Sequence, residues 1–431
     1  MKTLYQAFFN AERFWRSDRL SQLPAFTDAQ ADNIVEAMGE MQFVFTQHQD
    51  DVVLTSYAIN EAHVAYLNHL GYMFHHVHCL SDRSGQVQDL ARLQAVMPDV
   101  NACSPYAVLP STLELCDSLK ITAHFPAPET VKKVNSKSYS TTLAREISGG
   151  YNGRIVGSAH ELLLAGESLL SSSAILIKDT FGVSGKGNIL VDNDHALQSI
   201  CRYLEKQEAK GKTTELILEP LLSKELDFSC HLHIDRQGGC QIFSVQVMDN
   251  KGFSFSGIQT ADHALCSMLT ASGYFEIVER VASALFREGY FGPVCLDSML
   301  LKDGTLVPIV EINARKSMGL INYRLNLFLE RYHVSGSLST FSFTTDQPVM
   351  FTAFFHHLQA AGLLFEPGKT SGLLPLSANT FDINHRLPSV QNQSGRRGRL
   401  YASIIAGDPD EADRIREGVN AAFEIHQLKT L

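Results

Sequence analysis

The spacing of apolar and polar positions first becomes legible between Asp51 and His78. DDVVLTS is a short apolar run suited to a buried strand, AINEAHVAYLNHLGY carries helical spacing that ends at Gly71, and MFHHVHCL returns to a strand pattern. Strand, helix and strand in so short a stretch predict a βαβ unit and hence a parallel sheet. Residues 1–110 therefore read as a small α/β domain. No glycine-rich dinucleotide turn follows the first strand, which disfavours a nicotinamide site.

Downstream the pattern changes. SKSYSTTLAREI, from Ser136 to Ile147, has the look of a capped amphipathic helix. SSSAILIKD predicts a strand, TFGVSGKGN a glycine-rich loop, and ILVDN a second strand. ELILEPLL runs as a strand to its proline, LDFSCHLHID alternates in the β manner, and Gly238-Gly239 turns into CQIFSVQVMDN. GPVCLDSMLLKDGTLVPIVEIN predicts another hairpin, with Asp303 and Gly304 at the turn. Antiparallel sheets mixed with helices are an α+β signature. Past residue 340, GLLPLSANTF and GRLYASIIAG read as strands around a polar loop, QNQSGRRGR, and DEADRIREGVNAAFEIHQ as a helix with an acidic first turn. The expected division is 1–110, 111–340 (with a lid subdomain at about 140–222) and a C-terminal α+β extension, 341–431.

Length agrees with several domains, since 431 residues exceed what one ordinary core organises. Hydrophobic residues at 45% and charged residues at 19% are globular values. The net charge of −10 speaks against a broad nucleic-acid-binding face. The opening stretch is broken by Asn10, Glu12, Arg13 and Arg16, and no run reaches the ~18 apolar residues of a membrane span. Eight cysteines without a CxxC pair suggest reduced thiols. The expectation is a soluble, cytoplasmic protein with neither nucleic-acid nor membrane partners.

Three groups of residues carry chemistry. The loop from Thr180 to Asn188 holds Gly182, Gly185 and Gly187, and glycine lets backbone N–H groups turn toward a phosphate. It is not a Walker A loop, because Gly182 and Gly185 are too close and Gly187 stands where a hydroxyl residue belongs. A plain flexible hairpin is the alternative. Lys178 lies within the apolar strand AILIKD, where an ammonium must be paired or face a cleft; a phosphate is one partner and the solvent face of a lid sheet is the other reading. Finally, the turn at Asp303-Gly304 falls nearly midway between Asp297 and Glu311, so folding the hairpin brings those carboxylates together. Asn313 points to the same face as Glu311, and Arg315 continues the row if the strand persists. Two carboxylates and an amide oxygen make a hard oxygen site suited to Mg²⁺ on nucleotide phosphates.

IKDTFGVSGKGN, LILEPLL…LDFS and CLDSML…DGTLVPIVEINAR, in that order, resemble the ATP-grasp superfamily of carboxylate ligases over roughly residues 111–325. The resemblance implies ATP held between two α+β subdomains behind an α/β domain. It implies that Lys137 and Lys178 contact the nucleotide and that Gly182, Ser184, Gly185 and Gly187 form the phosphate lid. Glu219 and Leu222 then fall in the hinge that reads adenine. Asp227 takes the ribose position, with Glu225 as a rival. Asp297, Glu311 and Asn313 match the metal ligands for Mg²⁺, with Mn²⁺ as an alternative, and Arg315 matches the arginine that holds the carboxylate or acyl phosphate. The D-alanine–D-alanine ligase branch has an arginine where this chain has Cys295; anion stabilisation then falls to Arg315, Lys316 or Arg324. The tail is more similar to ATP-grasp ligases of natural-product pathways, such as pheganomycin and butirosin assembly, which join amino acids to peptides or carrier proteins.

What the resemblance implies chemically is activation of a carboxylate as an acyl phosphate, with an amine displacing phosphate to give an amide. Lys178 and Arg315 are the candidate catalytic residues. Substrates are then amino acids or peptides; a thioester on a carrier protein is an alternative, and a non-catalytic ATP-sensing subunit is the rival from another class. Oligomeric state stays open, with a homodimer common among similar enzymes. His75, His76, His78 and Cys79, or His231 and His233, offer a weaker metallohydrolase reading, the latter pair being expected on a lid hairpin facing solvent or substrate.

Overall fold

Three sheets organise the chain in a computed structural model that describes residues 2–24, 28–79, 87, 90–97, 99–149, 153–182, 187–251, 254–387 and 395–431. The first contains β1 (Thr3–Gln6), β2 (Val52–Thr55), β3 (His75–His78) and β4 (Ala102–Pro105), all parallel, in the order β3-β2-β1-β4. Every residue of β2 is buried, as a parallel strand covered on both faces requires.

The second sheet is antiparallel: β5 (Arg154–Val156), β6 (Ile175–Asp179), β7 (Asn188–Val191) and β8 (Leu216–Pro220), in the order β5-β8-β6-β7. Helices Ala159–Leu170 and Asp194–Glu208 pack on it. In the latter, Leu197, Ile200, Cys201 and Leu204 are buried at helical spacing and join Ile175, Ile177, Leu216 and Leu218 in a core of their own. Each such aliphatic side chain contributes about 1.5–3 kcal/mol by leaving water. This unit thus has a hydrophobic core separate from the main one.

The third sheet has nine strands: β9 (Lys224–Ile234), β10 (Cys240–Lys251), β11 (Ser254–Thr260), β12 (Gly292–Leu301), β13 (Leu306–Asn313), β14 (Gly336–Thr345), β15 (Gly372–Pro375), β16 (Arg396–Ile405) and β17 (Lys429–Thr430). Their order is β13-β12-β9-β10-β11-β14-β16-β15, with β17 on β14. Both expected hairpins form. Gly238 (φ +87°) and Gly304 (φ +83°) supply the left-handed turn conformations that other residues adopt poorly. The amphipathic helix Tyr274–Arg287 buries Tyr274, Val278, Val281, Ala282 and Leu285 in the main core.

The C-terminal region departs from its sequence reading. In GLLPLSANTF only Gly372–Pro375 is a strand; Asn379 opens a helix instead. Buried Glu40 accepts hydrogen bonds there from the Asn379 N–H (2.5 Å) and from Ser377 Oγ, placing a carboxylate where a helix N-terminus favours one. The RRGR of the expected loop begins β16, because β14 offers it a full antiparallel ladder from Ser342 to Thr345. The expected boundary at 340/341 falls inside β14, so the last segment continues the sheet of the middle one. Among the described residues no helix is long and apolar enough to cross a membrane.

Candidate active site

A cleft of about 600 Å³ is lined by residues of all three parts of the chain. Phe9 and Tyr106 enter it from just beyond β1 and β4, at the carboxyl ends of the parallel strands where open α/β sheets commonly present ligand sites. Lys178 and Glu219 come from the lid sheet. The floor is one face of the nine-stranded sheet. Register makes that face continuous: Glu311 lies opposite Asp297, Asp297 opposite Ser229, Ser229 opposite Gln246, and Met248 opposite Ile258. Beyond, Ile258 lies opposite Leu338, and Ser342 opposite Arg399.

The β12–β13 hairpin sets Asp297 and Glu311 directly across from each other, and Asn313 Nδ2 donates to Asp297 Oδ2 at 2.9 Å. Burial, and then the negative charge of Glu311, push Asp297 up to about 7. Burial pushes Glu311 up too, but Lys137, with Lys178 and Arg315, more than offsets it and holds Glu311 below the ordinary carboxylate value. Asp297 is therefore short of positive charge. A hard divalent cation beside these oxygens would relieve it, so the donor set fits Mg²⁺. Among the described residues no cluster of three or more His, Cys, Asp or Glu side chains forms a metal site, and the third donor here is an amide. His76 instead shares a hydrogen bond with Thr55 Oγ1 at 2.8 Å.

Both lysines reach this region. Lys137 begins a helix capped by Ser136, and its Nζ bridges Glu311 Oε1 (2.5 Å) and the Gly182 carbonyl (3.2 Å), tying the segment after β6 to β13. Lys178 is buried and pairs with Glu219 Oε2 at 2.6 Å, so the cleft, not solvent, receives it. Leu222 and Asp227 also line the cleft. Asp227 is held by Lys224 and by Asn250 Nδ2 (2.7 Å), whereas Glu225, two residues earlier on β9 where the pairing with β12 shifts register, is exposed. Gly187 has φ +86°, and its carbonyl accepts from the Asp179 N–H at 2.7 Å. Ser184 and Gly185 lie outside the described residues.

Arg315 lines the cleft, but its guanidinium is held by buried Glu12, with Nε donating to Oε1 at 3.1 Å, and lies near the Tyr106 hydroxyl (3.4 Å). Burial disfavours its charge, yet Glu12, with Tyr106 and Glu311, outweighs that and holds its pKa above the ordinary value. Neither alternative for anion stabilisation reaches the cleft. Lys316 turns into the first domain, where Nζ donates to Gln42 Oε1 and the Ser104 carbonyl (both 3.0 Å) beneath the Phe45 ring. Arg324 lines a separate cavity with Lys2 and Arg331. The expectation for the His231–His233 pair is corrected in its placement: the hairpin belongs to the main sheet, not the lid, where His231 is buried at the cleft wall between Ser229 Oγ (3.2 Å) and Ser317 Oγ (3.3 Å) and His233 is exposed. A Cβ on Gly319 would fall 2.2 Å from His231 Nε2, so only glycine fits there.

Several residues in or behind the cleft escape a motif-based reading. Glu12 is separated from Arg315 by 303 positions and sits in a short helix with no distinguishing pattern. Arg397, Arg399 and Tyr401 occupy alternate positions of β16 and line the cleft. Their i, i+2, i+4 spacing just before the apolar run was the available signal.

No family model matches the chain. The butirosin acyl-carrier-protein–L-glutamate ligase of Niallia circulans is 26% identical over 324 residues, covering 73% of this chain and 72% of that protein. Among solved structures, N5-carboxyaminoimidazole synthetase from Staphylococcus aureus complexed with ADP is similar with a TM-score of 0.53 at 10% identity, covering 98% of this chain and 97% of the other. The L-amino acid ligase of Bacillus licheniformis gives a TM-score of 0.52 at 13% identity, covering 100% and 98%.

Proposed function

The chain has the ATP-grasp fold, shared with ATP-dependent carboxylate–amine ligases, and on that premise we propose that it activates a carboxylate at the expense of ATP and joins it to an amine of an amino acid or peptide. The observation that carries this reading is the direct opposition of Asp297 and Glu311, with Lys137 spanning from Glu311 to the lid.

Asp297, Glu311 and Asn313 would hold Mg²⁺, or Mn²⁺ in its place, and that ion supplies charge neutralisation for the transferring phosphoryl group. Lys137 and Lys178 add fixed positive charge beside the triphosphate, so that an anionic carboxylate can approach. Glu219 keeps Lys178 aimed into the cleft. Leu222 and the backbone near Glu219 form the adenine end, and Asp227 is placed for the ribose. Arg315, braced by Glu12 and Tyr106, stabilises the activated carboxylate. By the resemblance, the loop bounded by Gly182 and Gly187 would shield the phosphates from water, which would otherwise consume the acyl phosphate. The nucleophile then displaces phosphate.

The carrier protein in the name of the butirosin relative favours a second reading for the acceptor, a group carried on a carrier protein. A phosphate-release screen across pairs of amino acids, with and without a carrier protein, and mass spectrometry of the products tests both readings. ADP release that requires a carboxylate and a nucleophile together is expected. Binding of ATP without such turnover would leave a nucleotide-sensing module instead.

A further inference from the structure

The cleft holds three arginines, and their charges are met differently. Arg315 has Glu12, and Arg397 forms a two-pronged pair with Asp28, Nη1–Oδ2 at 2.8 Å and Nη2–Oδ1 at 2.9 Å. Arg399 has neither. Its Nε donates to Ser342 Oγ at 2.9 Å and its Nη1 to Tyr401 Oη at 3.1 Å; among the described residues no carboxylate lies within ion-pair distance. A guanidinium has five N–H donors, and hydroxyls answer only part of that fork and none of its charge.

The position is built, not incidental. Ser342 is the cross-strand partner of Arg399, and Thr340 that of Tyr401, so strand register fixes the hydroxyl groups around the guanidinium. Half-buried Arg399 stacks toward the Tyr401 ring at 5.8 Å, which limits its rotamers. Ile34, Val35, Met38 and Ile258 line the same cleft and give an apolar wall. Tyr401 also lies close enough to the activating end to act electrostatically on Tyr106, whose phenol burial pushes up to about 12 and which touches Arg315.

We propose that Arg399, with Ser342 and Tyr401, anchors a carboxylate of the amino-acid or peptide substrate that does not itself react. This rests on the ligase reading above and deepens it. The substrate class is an amino acid with a spare carboxylate. That group is the side-chain carboxylate of the acid being activated, or the α-carboxylate of the amine.

The test compares wild type, Arg399→Gln and Arg399→Lys by phosphate release, using L-glutamate against L-glutamine and each accepted amine against its α-amide. For the substrate whose carboxylate is held, Arg399→Gln should raise KM about 30-fold while kcat changes less than about threefold, with partial rescue by lysine. The corresponding amide should be a weak substrate that the substitution leaves unchanged. The glutamate–glutamine arm identifies a side-chain carboxylate and the amide arm an α-carboxylate. An equal effect on charged and amide forms, no effect, or a matching rise in the KM for ATP would overturn the assignment. If wild type releases no phosphate with any pair, the ligase reading fails. Calorimetry of L-glutamate and glycine on protein loaded with a non-hydrolysable ATP analogue then decides the anchor alone. Binding lost in Arg399→Gln supports it, and no binding to wild type overturns it.

Discussion

The two ends of the cleft floor are charged in opposite senses. At the β12–β13 end, Lys137 is matched by Glu311 and Lys178 by Glu219, which leaves Asp297 as a surplus negative charge pushed up by burial. At the β14–β16 end, Arg397 is matched by Asp28, which leaves Arg399 as a surplus positive one. Uncompensated charge in a partly buried cleft is costly, so each end favours a ligand of the sign it lacks. The first calls for a cation accompanying a polyanion, and the second for a simple anion. On the proposed reading, one continuous sheet face would hold a metal nucleotide at one end and an amino acid at the other.

Removing the metal-end charge should have the largest effect. Glu311→Gln should lower turnover by about 10³-fold or more, ~4 kcal/mol of barrier, with an unchanged circular dichroism spectrum. Near-normal activity would place the cation elsewhere. Next, Lys178→Met should weaken ATP binding by about 30-fold, ~2 kcal/mol, because it removes a phosphate partner and strands Glu219. Unchanged affinity by titration calorimetry would show that Lys178 serves only to pair Glu219. Between the two ends, Glu12→Gln should reduce kcat by about tenfold through looser Arg315 placement, and Glu12→Asp should not recover it fully; equal kcat in all three proteins would remove Glu12 from the account.

The smallest expected effect concerns Lys316, next to Arg315 but turned away from the cleft. Burial lowers its pKa to about 7, whereas an unfolded chain keeps that lysine protonated to about 10.4. Between those values the unfolded state holds the extra proton, so wild-type stability should rise with pH from about 7 toward 10 relative to Lys316→Met. Parallel pH profiles in denaturant titrations would contradict this.

The legibility of the two ends differs for a physical reason. Asp297, Glu311 and Asn313 lie on one hairpin, so sequence spacing about the Asp303-Gly304 turn brings the carboxylates near each other; the turn pairs Met299 with Val307, and a register shift between Asp297 and Met299, which spacing does not reveal, then sets Asp297 directly opposite Glu311. Lys178 was equally readable, because an ammonium inside AILIKD needs a partner. The other end is assembled from distant segments. Arg397 stands in a glycine- and arginine-rich stretch that reads as loop until β14 supplies its ladder, Arg399 falls where that loop overlaps the expected strand GRLYASIIAG, and Asp28 reaches Arg397 across 369 positions. Glu12 is similar, since nothing local marks an acid that will meet Arg315. His231 was assigned to the lid because alternation along β9 gives parity but not which sheet the strand joins.

The central claim is that a divalent cation sits against Asp297, Glu311 and Asn313 when nucleotide is bound. Anomalous diffraction from a crystal grown with Mn²⁺ and a non-hydrolysable ATP analogue tests it most directly. A manganese peak within coordination distance of Asp297 and Glu311 is the result this account predicts. Bound nucleotide with its manganese elsewhere, or with those two carboxylates turned from it, would contradict it.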